Sequence, residues 1–354
     1  MITLLAPENN IEISIENDVV KEFKRRERAG LNAEGPSAYV WMGEGDDNIV
    51  SGRILNAPVS VFLKWRNTDP TKPMNLQVSL DPDFKHDGSM CGRCATIGEP
   101  IASSEGDGVY ISRVENLYSG KRYYWRVCDG TAVPEVRTFT TLEGETRMIR
   151  VDTLKNIRDI GGYMTDSGKR VKQGLFYRGP AFRNDFTMRM WHVFMEDLGI
   201  KTELDVRLET IGKEFDTMLG PLCDYRQLPT EAYGGVFEER YRESFQKIFE
   251  LLGEPATYPV YLHCAAGADR TGTIVYLIGA ILGMSEEDIK LEYNLTAASF
   301  DTPNFNKPTI NEYLAMMEEK HPGSTLREKL IYTLYEFGIT DETFEKLRNV
   351  FLEQ

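Results

Sequence analysis

One cysteine and one arginine, five residues apart, have the types and spacing for joint chemistry. They are Cys264 and Arg270, in the stretch His263-Cys264-Ala265-Ala266-Gly267-Ala268-Asp269-Arg270-Thr271-Gly272. A short apolar run, Val260-Tyr261-Leu262, precedes it, and a longer one, Thr273 to Met284, follows, so the pattern predicts strand, tight loop and helix. A loop that feeds a helix turns backbone N–H groups inward, and the helix start adds partial positive charge; together they form an anion cradle. Ala265, Ala266, Gly267 and Ala268 are small enough for their backbone to approach a ligand closely. Arg270 offers a planar fork of donors that matches two oxygens of a phosphate. The same amides and dipole favour the thiolate of Cys264, its nucleophilic form. The chemistry that fits is attack of sulfur on phosphorus. The N–H groups of Ala265 to Arg270 and the Arg270 guanidinium would hold the phosphoryl oxygens, most strongly where charge spreads in the transition state. Thr271 would donate to the sulfur or assist its departure, and His263 would orient the loop from behind. A buried, inert cysteine in a strand-to-helix turn is common, but that reading does not supply the whole conjunction.

This ten-residue stretch resembles the signature loop of the cysteine-dependent protein tyrosine phosphatase superfamily. Asn156-Ile157-Arg158-Asp159-Ile160-Gly161-Gly162, followed by Leu175-Phe176-Tyr177-Arg178, is similar to the bacterial tyrosine and phosphoinositide phosphatase family. So are the segment Leu198 to Arg207 and the ending from Phe337-Gly338-Ile339-Thr340 to Leu347-Arg348. The resemblance covers residues 147–354 and implies a phosphocysteine intermediate, with no cofactor and no metal. It also implies a general acid inside the loop, Asp269, to protonate the leaving oxygen. The plain alternative is that Asp269 only complements the helix dipole, with Glu231 or Asp224, on either side of Leu228-Pro229, as rival acids on a lid. Arg158 and Asp159 are expected as a buried ion pair or loop support. Asp205 and Arg207 are expected to brace the loop or to form a plain salt bridge. Arg178 is a residue that could reach substrate. The family often has lysine before the loop aspartate, where this chain has Ala268. The missing charge favours phosphotyrosine in a protein over a phosphoinositide or inositol polyphosphate. A non-catalytic phospho-ligand binder is the remaining alternative, and the intact Cys264, Asp269 and Arg270 speak against it.

The loop must be positioned by a larger fold. A length of 354 residues with 41% hydrophobic and 27% charged residues fits two globular domains. A net charge of −14 argues against a nucleic-acid or anionic-membrane partner. The partner expected is a phosphorylated protein or a small phosphomonoester. No run approaches the roughly 20 apolar residues of a membrane span, and the start MITLLAPENN has no basic region of the signal-peptide type. A cytoplasmic location is expected, since a nucleophilic thiol prefers a reducing compartment.

Residues 147–354 alternate strand and helix patterns, as in a three-layer α/β domain with a mostly parallel central sheet. Residues 176–178 and 202–206 read as strands, 186–198 and 237–252 as helices, and Ser285 and Thr325 as helix starts. Residues 1–146 read as all-β, with short strands near 11–15, 59–65, 76–80, 123–127 and 136–140 and turn signals between them. That spacing predicts an immunoglobulin-like sandwich, and the stretch from Leu117 through Thr138-Phe139-Thr140-Thr141 resembles the last strands of a fibronectin type III domain. Such a domain could bind a partner or the phosphatase domain. Trp65, Tyr123 and Trp125 are expected in its core, with an exposed carbohydrate platform as the alternative. The charged run Lys21 to Arg28 reads as a solvated helical or loop insertion rather than a nucleic-acid patch. Cys91-Gly92-Arg93-Cys94 lies between His86 and Cys128, but a single Cys-x-x-Cys pair is a weak zinc signal, and plain loop or core cysteines are expected.

Overall fold

The computed structural model describes residues 2–30, 56–69, 74–85, 95–96, 101–102, 108–130, 134–208, 216–299 and 308–354. His86, Cys91 and Cys94, the other members of the weighed metal set, lie outside the described residues. The chain divides into two compact units, Met1–Asn17 with Pro58–Ile149, and Asp18–Ala57 with Arg150–Gln354.

The first unit holds two sheets. One runs in the order β1 (Ile2–Ala6), β3 (Val61–Asn67), β7 (Val109–Val114), β6 (Ile101–Ala102), all antiparallel. The other runs β2 (Ile11–Ile13), β9 (Val136–Thr141), β8 (Arg122–Cys128), β4 (Asn75–Ser79), β5 (Ala95–Thr96), with β2 parallel to β9 and the remaining pairs antiparallel. In β3 the buried positions are Val61, Leu63, Trp65 and Asn67, every second residue, and β8 alternates likewise through Tyr123, Trp125 and Val127. Leu4, Leu63, Trp65, Val78, Trp125 and Phe139 share one apolar core across both sheets. The burial of Trp65, Tyr123 and Trp125 removes the carbohydrate-platform alternative for these rings. The strands β1 and β7 are not among those the sequence pattern predicts.

The second unit is built on a five-stranded sheet in the order β10 (Arg158–Asp159), β11 (Phe176–Pro180), β14 (Val260–Cys264), β12 (Thr202–Asp205), β13 (Asp224–Gln227). Only the β10–β11 pair is antiparallel, so the core of the sheet is parallel as expected. Every residue of β14 is buried, as a central parallel strand covered on both faces requires. Val260, Leu262 and Cys264 join a core with α3 (Glu239–Leu252), α4 (Asp269–Leu282) and α8 (Asp341–Phe351). The alternate residues Tyr261 and His263 face Phe182, and Tyr261 also meets Phe194, beyond the short helix α2 (Met188–His192). Between α4 and α8 lie α5 (Glu286–Asn294), α6 (Pro308–Lys320) and α7 (Leu326–Glu336). Ser285 caps α5, and Thr325 with Glu328 forms the capping box of α7. Among the described residues no helix is long and apolar enough to cross a membrane.

The charged run near residue 21 is helical, one of the two forms expected, but it is not solvated all round. It is helix α1 (Asp18–Arg28), with Val20, Phe23 and Lys24 buried, and it belongs to the second unit. Val20 and Phe23, spaced by three, give it an apolar stripe that a count of charges hides. Asp18–Ala57 thus groups with Arg150–Gln354, on the far side of the expected boundary at residue 146.

Candidate active site

The parallel register brings Pro180, Cys264 and the end of β12 to the same edge of the sheet, its carboxyl edge, where open α/β sheets bind ligands. Cys264 is the last residue of β14 and is 3% exposed. The loop beyond it packs against Gly179 so closely that a Cβ on Gly267 would lie 2.3 Å from the Gly179 carbonyl, and Gly267 holds φ +67°. Both facts demand glycine there.

Five successive carbonyls of this loop are tied down from outside. The Ala181 N–H donates to the carbonyls of Cys264 (2.8 Å) and Ala265 (3.3 Å). Asn156 Nδ2 donates to those of Ala266 (3.2 Å) and Gly267 (3.1 Å). Arg178 Nη2 donates to those of Gly267 (2.6 Å) and Ala268 (3.2 Å). In a planar trans peptide the N–H points opposite to the C=O, so the amides of Ala265 to Asp269 are turned away from these anchors. The helix that follows, α4, has Ala268 at its N-cap and takes no side-chain capping bond. A helix start of this kind suits an anion. Arg270 is half-buried in the first turn of α4, and Thr271 Oγ1 is buried without a hydrogen-bond partner among the described residues.

The anchors are themselves held by a carboxylate that the sequence reading missed. Glu292, on α5, pairs with Arg158 Nε through Oε1 and with Arg178 Nη1 through Oε2, both at 2.7 Å. Arg158 also donates to the Glu292 carbonyl and to Asn156 Oδ1. An outer chain supports Asn156: Asn56 Nδ2 donates to Ser299 Oγ (2.5 Å), and Ser299 Oγ donates to Asn156 Oδ1 (3.1 Å). Of the two roles expected for Arg158 and Asp159, Arg158 takes loop support through Asn156 and is ion-paired with Glu292. Asp159 accepts the N–H groups of Gly161 (2.8 Å) and Gly174 (2.6 Å). Arg178, expected as a residue that could reach substrate, is fully buried and holds Glu292 and the Gly267 and Ala268 carbonyls.

On the other side of β14, His263 Nε2 lies 2.8 Å from Glu203 Oε1, and its Nδ1 lies 3.8 Å from Asp205 Oδ1. Asp205 forms a forked pair with Arg207 (2.6 and 2.9 Å) and accepts from Tyr225 Oη (2.7 Å). The N–H of Val206, between them, donates to the His263 carbonyl at 3.0 Å, which ties this pair to the residue before the cysteine.

Among the candidate acids, Asp269 is exposed at the start of α4, and its Oδ1 accepts from Tyr233 Oη. Glu231 turns back on its own loop, accepting from the Ala232 N–H at 2.9 Å and packing over Gly235. Asp224 starts β13, and the register sets it level with Val260, about 13 Å short of the Cys264 edge. It pairs there with Arg226 at 2.8 Å.

A model of the tyrosine phosphatase family matches residues 149–353, a span that holds the cysteine loop and all its anchors except Asn56. The chain belongs to the tyrosine phosphatase family. A Cupriavidus necator protein, provisionally named tyrosine-protein phosphatase, is 27% identical over 190 residues, with 46% of this chain and 67% of that one covered. The core catalytic domain of the PP-IP phosphatase SIW14 from S. cerevisiae, solved with citrate, is 16% identical with a TM-score of 0.31, covering 50% of this chain and 93% of that one. A second Siw14 catalytic core is 18% identical with a TM-score of 0.30, covering 46% and 88%.

The electrostatics of the phosphatase domain centre on buried carboxylates. Burial alone would raise Glu292, but Arg158 and Arg178 outweigh it and hold the carboxyl below its usual range. Burial also opposes Asp205, which Arg207, His263 and Tyr225 together hold low. Burial and the neighbouring Arg178 charge pull Arg158 down to about 10, still cationic at neutral pH. A carboxyl whose folded pKa is depressed contributes stability above its unfolded value, about 4 for Asp and Glu, and loses it as pH falls through the folded value. The urea midpoint of the domain is therefore expected to hold steady from pH 7 to 5 and to drop below about pH 4. Glu292→Gln should lower the plateau and flatten the drop; an unchanged acid limb in that variant would contradict the assignment.

Proposed function

We propose that the phosphatase domain hydrolyses phosphotyrosine in proteins through a phosphocysteine intermediate. The observation that carries the reading is the set of tied carbonyls from Cys264 to Ala268, which turns consecutive amides toward one anion site at the end of β14. In the first step the Cys264 thiolate attacks phosphorus. The S–P bond forms as the ester P–O bond breaks, and Asp269 passes its proton to the departing oxygen. In the second step water attacks phosphorus, Asp269 takes the water proton, and the thiolate leaves. Thr271 Oγ1, buried in the first turn of α4 and unpartnered among the described residues, stabilises the departing sulfur. The loop amides and Arg270 hold the equatorial oxygens in both steps.

The substrate class follows from the loop rim. Ala268 brings no charge and is buried, and the exposed residue beside it is the acidic Asp269, joined to the phenol of Tyr233. Such a rim suits an aryl phosphate better than a ligand with several phosphates. The N-terminal unit is read as a fibronectin type III or immunoglobulin-like sandwich that serves as a binding module. The Tyr118 N–H donates to Tyr123 Oη at 2.7 Å, the corner that such folds place ahead of a late strand. A reducing compartment suits the thiol chemistry.

Phosphate release from a phosphotyrosyl peptide, a phosphoseryl peptide and inositol phosphates, without added metal, tests the substrate. Faster release from inositol phosphates would replace the tyrosine reading. Asp269→Asn is expected to slow alkyl phosphates about 10²-fold and p-nitrophenyl phosphate much less. An unchanged rate on both would move the acid to the Glu231 loop.

A further inference from the structure

Tyr233 opens the single turn Tyr233–Phe237 on the loop after β13. Its Oη donates to Asp269 Oδ1 and shares a second hydrogen bond with Tyr293 Oη. Among the described residues no other side chain donates to the Asp269 carboxylate. Tyr233 holds φ +53°, a left-handed conformation that a bulky side chain keeps only where its surroundings fix it. Those surroundings are built. The Tyr233 N–H donates to Thr273 Oγ1 (3.3 Å), and that hydroxyl donates to the Asp269 carbonyl (2.9 Å), tying loop and helix start together. Gly234 lies against Met316, where an added Cβ would come within 2.5 Å of the sulfur. Tyr293 is wedged on the other side: a Cβ at Gly272 would sit 2.8 Å from its ring.

We propose that Tyr233 is a positioning residue for proton transfer in this reaction. By occupying Oδ1 it leaves Oδ2 of Asp269 as the oxygen that gives its proton to the ester oxygen when the P–O bond breaks. The same oxygen receives the proton of the attacking water. The proposal rests on Asp269 as the acid. It adds a second aromatic residue, Tyr293, that holds the first in register.

The test is leaving-group dependence. Tyr233→Phe is expected to lower kcat for phenyl phosphate and for an alkyl phosphate about tenfold, with KM unchanged. The loss on p-nitrophenyl phosphate should be much smaller, because nitrophenolate departs with little need of a proton. In an Asp269→Asn background the same substitution should cost nothing more. Equal losses on all leaving groups, additive losses in the double variant, or no loss would each overturn the proposal. If Tyr233→Phe does not fold, Tyr293→Phe is read in the same way and should show a smaller loss with the same leaving-group order. A Cys264→Ser protein that keeps its rate would instead strike the underlying reading, so the two failures are distinguishable.

Discussion

Cys264→Ser is expected to abolish phosphate release from p-nitrophenyl phosphate, a fall of about 10⁴-fold or more. A serine hydroxyl fills the same place at the end of β14, but it does not ionise at neutral pH and forms no covalent intermediate there. The loop carbonyls stay tied by Ala181, Asn156 and Arg178, so the cradle should still bind inorganic phosphate. Calorimetric titration with phosphate beside the rate assay separates the two effects. A variant that retained most of its rate would sink the mechanism. Cys223 supplies the control. Burial and the nearby Glu203 charge push its thiol up to about 12, so it is neutral at physiological pH, and Cys223→Ser should leave the rate unchanged.

Glu292→Ala is expected to give the largest loss of stability. The carboxylate neutralises two fully buried guanidinium groups, and its removal leaves both buried without that counter-charge, with only neutral oxygens such as those of Asn156, Gly267 and Ala268 about them. Breaking one buried pair costs about 3–5 kcal/mol, and here two cations lose the same partner. Arg178 would also lose the contact that fixes it behind Gly267 and Ala268, so turnover should fall with stability. Urea unfolding followed by fluorescence, with phosphate release on the folded fraction, gives both readouts. A loss below about 1 kcal/mol would mean that water or another group takes over both arginines. Glu292→Gln, which keeps a hydrogen-bonding carbonyl, should fall between wild type and alanine.

The shape of the loop was legible because it is local: Cys264 to Thr271 is one contiguous strand–loop–helix stretch. Its supports were less legible because they come from distant parts of the chain. Arg158 and Arg178 were visible as charges, but their shared partner lies more than 100 residues later. A signal for Glu292 did exist, since it shares the buried stripe of α5 with Ile289 and Tyr293. Glu203 carried a signal too: an acid inside a strand buried on both faces must be paired, and it meets His263. Tyr233 gave none, because its place against Asp269 depends on a left-handed turn that no spacing rule predicts. In the β-rich unit, β3 and β8 were readable from strict alternation. β7 was not, because its pattern, buried at Val109, Ser112 and Val114, breaks that period.

The hydrogen bonds that run from Asn56 through Ser299 and Asn156 to Gly267 make the catalytic unit discontinuous along the chain. Cutting ahead of residue 147 to excise a minimal enzyme would delete Asn56 and strip α1 from α5, although the family match begins only at 149. The β-rich segment is thus framed by catalytic-unit sequence on both sides, and a shortened enzyme needs residues 18–57 rejoined to it rather than discarded.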